Sequence, residues 1–391
     1  MWASTMRQFM RRSPHAGVPF ARLGAEAPAP LLSVVVPTYR CAPALRRCAA
    51  ALLASDLPRV RWELIVVDDS SGDETVQVAQ RMADQVVQLV GGPHGPAYAR
   101  NRGVEAARGR FIVFVDADVC VHPDTLRQLR EALVGDDSLG AVFGAYDDVP
   151  PERGLVSQYR NLVHHYTHVQ GAGSAVTFWT GCGAVRRDVF RQIGGFDQRR
   201  FPRPQIEDVE LGQRIVAAGF RIMLRPDIQA THLKRWTLRN VITTDVRDRG
   251  LPWVALMHAS PSARKMSSLN LRPEERWFTG LTGIAWLAVA LGVATLRWEW
   301  LLVTALCSAI VVAGNGPLLR WFARRRGVWA AVGVVPLRLM YYTINNVAVI
   351  WGTVRHLLQR RSGRAVASEA EQITPGAAVV AHGQLAQHDA H

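Results

Sequence analysis

Short, continuously apolar runs alternate with helical patterns from Leu31 onward, and this alternation constrains the fold most. The apolar runs predict strands at Ser33–Pro37, Glu63–Asp68, Gln85–Val90 and Phe111–Val115. The segments between them predict helices at Ala44–Ala54, Glu74–Met82 and Pro96–Ala107. Such apolar runs belong in a sheet covered on both faces, and intervening helices imply mostly parallel pairing. The sequence therefore predicts an α/β domain with a mostly parallel sheet.

The loop after the first strand argues against a dinucleotide fold. That strand continues into Pro37-Thr38-Tyr39-Arg40 instead of the Gly-x-Gly-x-x-Gly turn that lets backbone approach a pyrophosphate. A Walker A sequence is also missing from the chain. The nucleotide-binding interpretation therefore has to rest on other residues.

Charge and cysteine content exclude further classes. The net charge is +14, yet lysine occurs only at Lys234 and Lys265, so the basic charge is almost entirely arginine. Because no recognised nucleic-acid-binding module accompanies it, we do not expect a nucleic-acid partner. The five cysteines include no Cys-x-x-Cys pair, which indicates neither a disulfide framework nor a zinc site.

Acidic residues follow two of the predicted strands directly. Asp116 and Asp118 come after Phe111–Val115, and Asp68 closes the strand that begins at Glu63. Ligands of open α/β sheets bind at the carboxyl ends of strands, where an aspartate pair can hold Mg²⁺ or Mn²⁺ and Asp68 can accept from a nucleobase N–H. The alternative for the pair is a strand-end turn that caps the next helix.

Two long uncharged runs follow residue 275. Phe278–Leu296 has 19 residues and Trp300–Leu319 has 20, each long enough as a helix to cross the hydrocarbon of a bilayer. Arginines cluster after the second run, which by the positive-inside rule places this cluster and the N-terminal domain in the cytoplasm. The sequence predicts a multi-pass protein of the cytoplasmic (inner) membrane.

A third apolar stretch, Val328–Val354, contains Pro336 and Arg338. Its length favours a third span, while a re-entrant or interfacial helix remains the alternative. The predicted organisation is a flexible basic arm (1–30), a catalytic domain (31–240), a juxtamembrane segment (241–276), a transmembrane region of two or three helices (277–356) and a disordered tail (357–391).

Taken in order, these motifs resemble the family 2 glycosyltransferases, which have a GT-A fold. The resemblance covers about residues 31–240 and rests on SVVVPTYR, ELIVVDDSSGDET, GPAYARNRG, FIVFVDAD, GGFD and the pair Glu207-Asp208. It implies transfer of a sugar from a nucleotide-diphosphate donor.

The resemblance also implies roles for individual residues. It assigns the nucleoside to Pro37, Thr38, Tyr39 and Asp68, with Arg100 near the base or ribose, and the metal and diphosphate to Asp116 and Asp118 with His232 completing the metal shell. Asp208 is expected to be the general base of an inverting enzyme, with Glu207 beside the acceptor. The alternative is that the two acids only begin a helix over Glu207–Ala218, because the helix dipole favours negative charge in the first turn.

Two further segments are assigned by the same resemblance. Lys234-Arg235-Trp236 partly matches the Gln-x-x-Arg-Trp motif of processive synthases, so Arg235 is expected to face the diphosphate and Trp236 the acceptor. The glutamine is missing, and a lipid-facing basic segment is the alternative. Gly181 and Cys182 are expected in the acceptor pocket. His164, His165 and His168 are expected to have a core or solvated role, and the alternative is that a helix pairs His164 with His168 as ligands.

The sequence thus predicts a membrane-bound, metal-dependent inverting glycosyltransferase that uses Mg²⁺ or Mn²⁺, a nucleotide-sugar donor and a lipid or lipid-linked acceptor. Two alternatives remain at this point. A processive polysaccharide synthase normally needs more membrane spans, and a non-catalytic nucleotide-sugar-binding scaffold predicts the loss of carboxylates that this chain retains.

Overall fold

The computed structural model describes residues 30–259 and 272–361, so the predicted arm and most of the predicted tail lie outside the described residues. The strands are β1 (Leu32–Thr38), β2 (Trp62–Asp68), β3 (Gln85–Gln88), β4 (Phe111–Val115), β5 (Val119–Val121), β6 (Leu139–Tyr146), β7 (Gly173–Ala175), β8 (Cys182–Arg186) and β9 (Arg221–His232). The helices of the α/β domain are α1 (Ala42–Leu53), α2 (Thr75–Met82), α3 (Pro96–Ala106), α4 (Thr125–Gly135), α5 (Leu155–Gln170), α6 (Arg187–Gln192) and α7 (Glu207–Ala217).

Helical segments follow the α/β domain. They are α8 (Leu238–Thr243), a π-helical turn (Thr244–Gly250), α9 (Leu251–Ala259), α10 (Pro273–Thr295), α11 (Glu299–Gly314), α12 (Gly316–Arg326) and α13 (Val328–Arg361). The strands and helices predicted before residue 220 are confirmed, with boundaries that differ by no more than two residues.

The sheet is mixed, so the prediction of a mostly parallel sheet is wrong. Within the described ranges the strand order is β3-β2-β1-β4-β8-β6-β9-β5, and β7 pairs with β9. The pairs β1–β2, β1–β4, β2–β3 and β6–β9 are parallel, whereas β4–β8, β6–β8, β5–β9 and β7–β9 are antiparallel.

The reversal arises at β8. Cys182 lies opposite Val115 and Gly183 lies opposite Phe143, so β8 begins at the edge where β4 and β6 end. The segment 147–181, which contains α5, therefore leaves and re-enters the sheet at one edge, and β8 runs antiparallel to both neighbours. A crossover helix that returned the chain to the opposite edge would have made the strand parallel.

Alternate residues of the central strands face two hydrophobic layers. Val34 and Val36 of β1 pack into a core with α1, α2 and α4, while Val35 packs into a second core with α3, α6 and α7. All three valines are fully buried, as a strand covered on both faces requires. The domain is therefore three-layered, and its ligand-binding edge is fixed by where the strands end.

The helical region agrees with the sequence only in part. Among the described residues one helix, α10, is long and apolar enough to cross a membrane, which confirms the first predicted span as a helix. The second predicted span, Trp300–Leu319, is not one helix: α11 and α12 meet at Asn315 with a bend of 60°. The sequence Gly314-Asn315-Gly316-Pro317 explains the break, because proline lacks the N–H that a continuous helix needs.

The third predicted stretch forms one helix of 34 residues, α13, but it does not meet the same criterion of length and apolar composition. The described residues thus contain one candidate span, or two if α11 and α12 together form one, instead of the two or three predicted. Arg338 of α13 is buried and bonds Glu275 of α10 at 2.8 Å and Asn315 at 2.8 Å. A polar contact therefore holds the break against α13 and α10.

Close packing of α3 on the sheet generates a stability prediction. A Cβ at Gly103 would fall well inside contact distance of Val35 Cγ1 and 3.0 Å from Val67 Cγ2. We expect Gly103→Ala to destabilise the protein by about 1 to 3 kcal/mol through overpacking. A fall in Tm of roughly 2 to 4 °C per kcal/mol, measured on the detergent-solubilised full chain, tests this.

Gly135→Ala is the matched control, because Gly135 is also helical and has no atom within 4 Å of the new Cβ. Equal melting temperatures for the two variants would contradict the packing assigned to α3.

Candidate active site

A cleft of about 770 Å³ opens at the edge where β1, β2, β4 and β6 end. Its wall begins at Pro37, Thr38 and Tyr39 after β1 and extends to Arg338 and Tyr341 of α13. The α/β domain and the C-terminal helices therefore share this cleft. Asp116, Asp118 and Asp208 all lie on its wall, so the three carboxylates singled out by sequence face one cavity.

A buried arginine joins two of the acidic elements. Arg100 of α3 donates to Asp116 at 2.7 Å and to Glu207 at 2.8 Å, and its side chain is 5% exposed. Asp116 follows β4 and Glu207 begins α7, so this contact ties a strand end to a helix start. Arg100 lines the cleft, and its place near the base or ribose stays a prediction.

Glu207 lines the cleft, but both of its carboxylate oxygens are engaged by other groups of the chain. One of its carboxylate oxygens accepts from Arg100, and the other accepts from the backbone N–H of Gln205 at 2.8 Å. The side chain is 6% exposed, and both oxygens are occupied. Glu207 therefore positions Arg100 and the start of α7.

Asp118 and His232 are brought together by strand pairing. Val119 of β5 lies opposite His232 of β9, and His232 Nε2 is 3.5 Å from Asp118 Oδ2. His232 Nδ1 lies 2.6 Å from the amide oxygen of Asn161, which can accept its proton, and Nε2 faces Asp118. Burial acts to raise the pKa of Asp118, but His232 and Lys234 hold it below its ordinary value.

These groups suit a divalent cation in their chemistry. Two carboxylates, each about one-third exposed toward the cleft, and an imidazole oriented by a second partner are ligands found at Mg²⁺ and Mn²⁺ sites. Within residues 30–259 and 272–361, however, no three His, Cys, Asp or Glu side chains already form a ligand cluster. Asp118 and His232 are adjacent, whereas Asp116 is engaged by Arg100.

Asp208 lies in the first turn of α7. Its Oδ1 accepts from the N–H of Val209 at 2.8 Å, and its Oδ2 lies 3.3 Å from the N–H of Thr180. Burial, and next the charge of Glu207, raise the pKa of Asp208 to about 7, with Arg100 acting in the opposite direction. Such a carboxylate can exchange a proton near neutral pH.

An unsatisfied acceptor lies at the end of β2, next to the cleft residue Asp69. Asp68 is 3% exposed, and its Oδ2 accepts from the N–H of Ser71 at 3.1 Å. Its Oδ1 is buried and has no hydrogen-bond partner among the described residues. Asp69, for which the sequence predicts no role, lines the cleft and accepts from the N–H groups of His94 and Gly95 at 2.9 and 2.7 Å.

Three expected acceptor or donor residues are placed elsewhere. Gly181 and Cys182 do not line the cleft; its wall here is formed by residues 177–180. A Cβ at Gly181 would come within 2.6 Å of Trp179 Cε2, so glycine makes room for that indole ring. Arg235 is exposed and is not part of the cleft lining, whereas the adjacent Lys234, also exposed, is part of it.

Trp236 does line the cleft, but its ring is engaged by cations. Lys234 Nζ lies 4.3 Å and Arg160 Cζ 5.4 Å from the ring centroid. The sequence did not identify Arg160, Lys234 and Arg249 as cleft residues. A basic residue near an apolar segment gives the same sequence pattern whether its side chain faces lipid or a cavity.

Of the three histidines of α5, His164 and His168 line the cleft, and His165 is buried. His164 Nε2 and His168 Nε2 are 2.9 Å apart, and His168 Nδ1 lies 3.1 Å from the carbonyl of Gly144. Burial lowers the pKa of His168 to about 4, so it is neutral at physiological pH. His165 bonds the carbonyl of Tyr146 at 2.7 Å.

Comparison with known proteins agrees with this architecture. Residues 33–194 match the family described as Glycosyl transferase family 2. The chain is 34% identical over 99 residues to poly(ribitol-phosphate) beta-N-acetylglucosaminyltransferase TarS of Staphylococcus aureus, covering 24% of this chain and 17% of that protein. It is 24% identical over 210 residues to glycosyltransferase AglE of Haloferax volcanii, covering 53% and 68%.

A solved structure resembles this one over most of its length. Mannosyltransferase PcManGT from Pyrobaculum calidifontis, determined in complex with GDP-Man and Mn²⁺, superposes with a TM-score of 0.52 at 20% sequence identity, covering 90% of this chain and 95% of that one. At this identity the likeness shows a shared fold, a GT-A-like α/β domain with helices after it.

The bridge made by Arg100 generates a prediction about stability and pH. Arg100→Met leaves Asp116 and Glu207 without their shared cation, which we expect to cost about 3 kcal/mol at pH 8. The loss should shrink toward pH 5, because the unpaired carboxylates then have raised folded-state pKa values and take up protons. Thermal melts of the full chain at both pH values measure this.

Arg102→Met serves as the control, since Arg102 lies on the same helix and pairs with Glu105 at the surface. A change of no more than about 0.5 kcal/mol is expected for it. A deficit of Arg100→Met that grows as the pH falls would contradict the electrostatic account.

Proposed function

We propose that this chain, whose residues 33–194 form a Glycosyl transferase family 2 domain, is an inverting glycosyltransferase. It transfers a sugar from a nucleotide-diphosphate donor to a lipid or lipid-linked acceptor at the cytoplasmic membrane. The observation that carries the proposal is the shared cleft, whose wall includes Asp116 and Asp118 as well as the raised-pKa carboxylate Asp208. The alignment with the Staphylococcus relative covers under a fifth of that protein, so the activity is inferred from the site.

The donor nucleoside is assigned to the end of the cleft near β1 and β2. Pro37, Thr38 and Tyr39 line it there, and Tyr39 is 41% exposed, so its ring is available to a base. The unpartnered Oδ1 of Asp68 is a buried acceptor, and a buried acceptor is costly unless something donates to it. A nucleobase N–H supplies that donor.

The donor diphosphate is assigned to Asp116 and Asp118, with His232 as third ligand. When bound there, Mg²⁺ or Mn²⁺ neutralises the charge that develops on the departing nucleotide diphosphate. The residues themselves orient the ion: Asn161 holds the His232 ring, and Arg100 fixes Asp116. The complex of the mannosyltransferase from Pyrobaculum with GDP-Man and Mn²⁺ supports this assignment.

Asp208 is assigned as the general base. The acceptor hydroxyl gives its proton to the carboxylate while its oxygen attacks the anomeric carbon, and the bond from that carbon to the diphosphate breaks. Thr180 and the first turn of α7 hold the carboxylate in place. Burial raises its pKa to about 7, which keeps it a stronger base than an exposed aspartate.

The membrane assignment is supported by the surface of the C-terminal helices. Large apolar side chains are more than half exposed on three of them: Trp286, Leu287 and Val293 on α10, Leu301, Leu302 and Leu306 on α11, and Ile350 and Trp351 on α13. Water does not favour such a surface, whereas a bilayer does. We call these side chains the apolar belt.

The arginine cluster supports a cytosolic catalytic domain. Arg325 pairs with Asp148, and Arg326 donates to Gln158 at 2.7 Å. The cluster after α11 therefore lies against the α/β domain. By the positive-inside rule both belong to the cytosolic side of the inner membrane.

The base role is tested by Asp208→Asn. We expect the turnover number to fall by about 10² to 10⁴, because an amide cannot accept the acceptor proton, while donor affinity stays the same. Transfer by detergent-solubilised full chain, with a panel of nucleotide sugars and membrane lipid extract, gives the rate. In the wild type kcat/KM should rise with pH through an apparent pKa near 7.

Asp188→Asn is a closely matched control, since Asp188 Oδ1 accepts from the next backbone N–H at 2.9 Å at the start of α6, as Asp208 does in α7, but lies outside the cleft lining. Full turnover by Asp208→Asn would reject the base role.

The metal assignment is tested by Mn²⁺ binding. Asp118→Asn and His232→Ala should each weaken Mn²⁺ binding at least about tenfold, as loss of ligand-orienting contacts alone commonly does. Electron paramagnetic resonance of free Mn²⁺, in the presence of a nucleoside diphosphate, measures the affinity. Asp124→Asn alters an aspartate outside the lining and should bind Mn²⁺ as the wild type does; unchanged affinity in all three variants would exclude this site.

A further inference from the structure

Two histidines of α5 are not used by the proposed reaction. His164 and His168 both line the cleft, one helical turn apart. Their Nε2 atoms lie 2.9 Å from each other, and His168 Nδ1 lies 3.1 Å from the carbonyl oxygen of Gly144. Among the described residues no third His, Cys, Asp or Glu side chain joins them in a ligand cluster, so we interpret the contact between the two rings as a hydrogen bond.

The carbonyl of Gly144 fixes the proton positions in this pair. A carbonyl oxygen only accepts hydrogen bonds, so the proton of a neutral His168 ring is on Nδ1 and its Nε2 has a lone pair. That lone pair accepts the Nε2 proton of His164. In a neutral His164 ring, the remaining nitrogen, Nδ1, therefore has a lone pair as well.

Both rings are neutral at physiological pH. Burial lowers the pKa of His168 to about 4. Burial, and next the charge of His168, lower the pKa of His164 well below its ordinary value, and the charge of Arg249 acts in the same direction. The lone pair on His164 Nδ1 is therefore present under the conditions in which the protein works.

Aromatic side chains hold the His164 ring in place. The ring centroids of Tyr146 and Trp179 lie 4.6 and 5.0 Å from that of His164, with interplanar angles of 74° and 65°. Rings prefer such tilted and edge-to-face contacts. The His164 side chain is partly exposed in the cleft wall, and its Nδ1 bonds no other residue of the described part of the chain. An oriented acceptor is thus left without a donor.

His164 lies between the groups assigned to the diphosphate and to the base. Tyr146, one of its ring contacts, also stacks on His232 with ring centroids 4.2 Å apart. Trp179, the other contact, immediately precedes the residue whose N–H lies 3.3 Å from Asp208 Oδ2. A sugar whose diphosphate is bound near His232, and whose anomeric carbon is attacked by a hydroxyl held at Asp208, occupies this part of the cleft.

We propose that His164 Nδ1 accepts a hydrogen bond from a hydroxyl group of the transferred sugar. A site that bonds a hydroxyl discriminates against the analogue that lacks it, because its buried polar group is then left unpaired. The inference rests on the proposed function and adds a specificity-determining residue to it. His168, which acts through His164 by fixing its tautomer, is a positioning residue.

Binding of nucleotide sugars tests the role of His164 separately from sugar transfer. The full chain in detergent micelles with Mn²⁺ is titrated by calorimetry with GDP-mannose and UDP-glucose, with the monodeoxy analogues of each, and with GDP and UDP. In the wild type, removal of one particular hydroxyl should weaken binding about 3- to 10-fold, as loss of one neutral hydrogen bond does. His164→Phe, which has no acceptor, should lose this difference, and His164→Gln, which keeps an acceptor oxygen, should retain part of it.

His165→Gln is the matched control. His165 lies on the same helix and bonds a carbonyl oxygen, as His168 does, but it is outside the cleft lining. This variant should keep the full hydroxyl preference. Nitrogen-15 NMR of histidine-labelled protein reads the tautomer directly, because a ring nitrogen with a lone pair and a protonated one resonate far apart. The Nδ1 signal of His164, identified by its loss in His164→Gln, should be of the lone-pair type.

Three results would overturn the inference. A protonated His164 Nδ1 would show that the ring cannot accept there. A hydroxyl preference that the wild type lacks, or that His164→Phe keeps, would remove His164 from sugar recognition. Weaker binding of GDP and UDP by His164→Phe would assign the residue to the nucleotide instead. The proposed function fails independently, through absent sugar transfer to membrane lipid extract by a wild type that binds nucleotide sugars.

Discussion

The ion pairs of Arg100 hold the catalytic elements in one arrangement. Asp116 and Glu207 belong to segments more than 90 residues apart, and like charges in a buried setting repel unless a cation lies between them. Because the Arg100 side chain is nearly inaccessible, it fixes the direction in which both carboxylates point and also compensates their negative charge. The position of Asp208, one residue after Glu207, follows from the same contact, since α7 starts where Glu207 is held.

The sheet edge supplies the remaining parts of the site. β1, β2 and β4 end there in parallel, which places Thr38, Asp68 and Asp116 near one another. β9 arrives at the same edge through its parallel pairing with β6 and delivers His232 opposite Val119. Thr38, Asp116, Asp118, Asp208 and His232 therefore line one cleft that ends at the C-terminal helices.

The sequence predicted what local patterns determine. Continuous apolar strands and the acids that follow them identified β1, β2 and β4 and the carboxylates Asp116 and Asp118, and the family resemblance added Asp208. Pairing direction was missed, because the antiparallel entry of β8 depends on where the segment 147–181 returns to the sheet. The Gly-Asn-Gly-Pro segment is typical of a helix break and so indicates the bend at Asn315. The prediction of one continuous span missed it because it considered only the length and the lack of charge of the run.

Residues whose role depends on side-chain direction were the hardest to predict. Glycine at position 181 leaves room for the ring of Trp179, and Lys234 lines the cleft whereas Arg235 does not. Arg249 lies beyond the region of family resemblance, on a turn that no periodicity identifies. These assignments follow from tertiary packing, which places α5, the π-helical turn and α13 around one cavity.

The central claim is that Asp118, His232 and Asp208 act on one substrate in one cleft. A structure of the full chain with a Mn²⁺–nucleoside diphosphate, with the metal located by anomalous scattering, measures this most directly. The account predicts one Mn²⁺ peak between Asp118 and His232, with the diphosphate on it and the base toward Asp68. A peak outside the cleft, or a nucleotide bound away from Asp68, would contradict it.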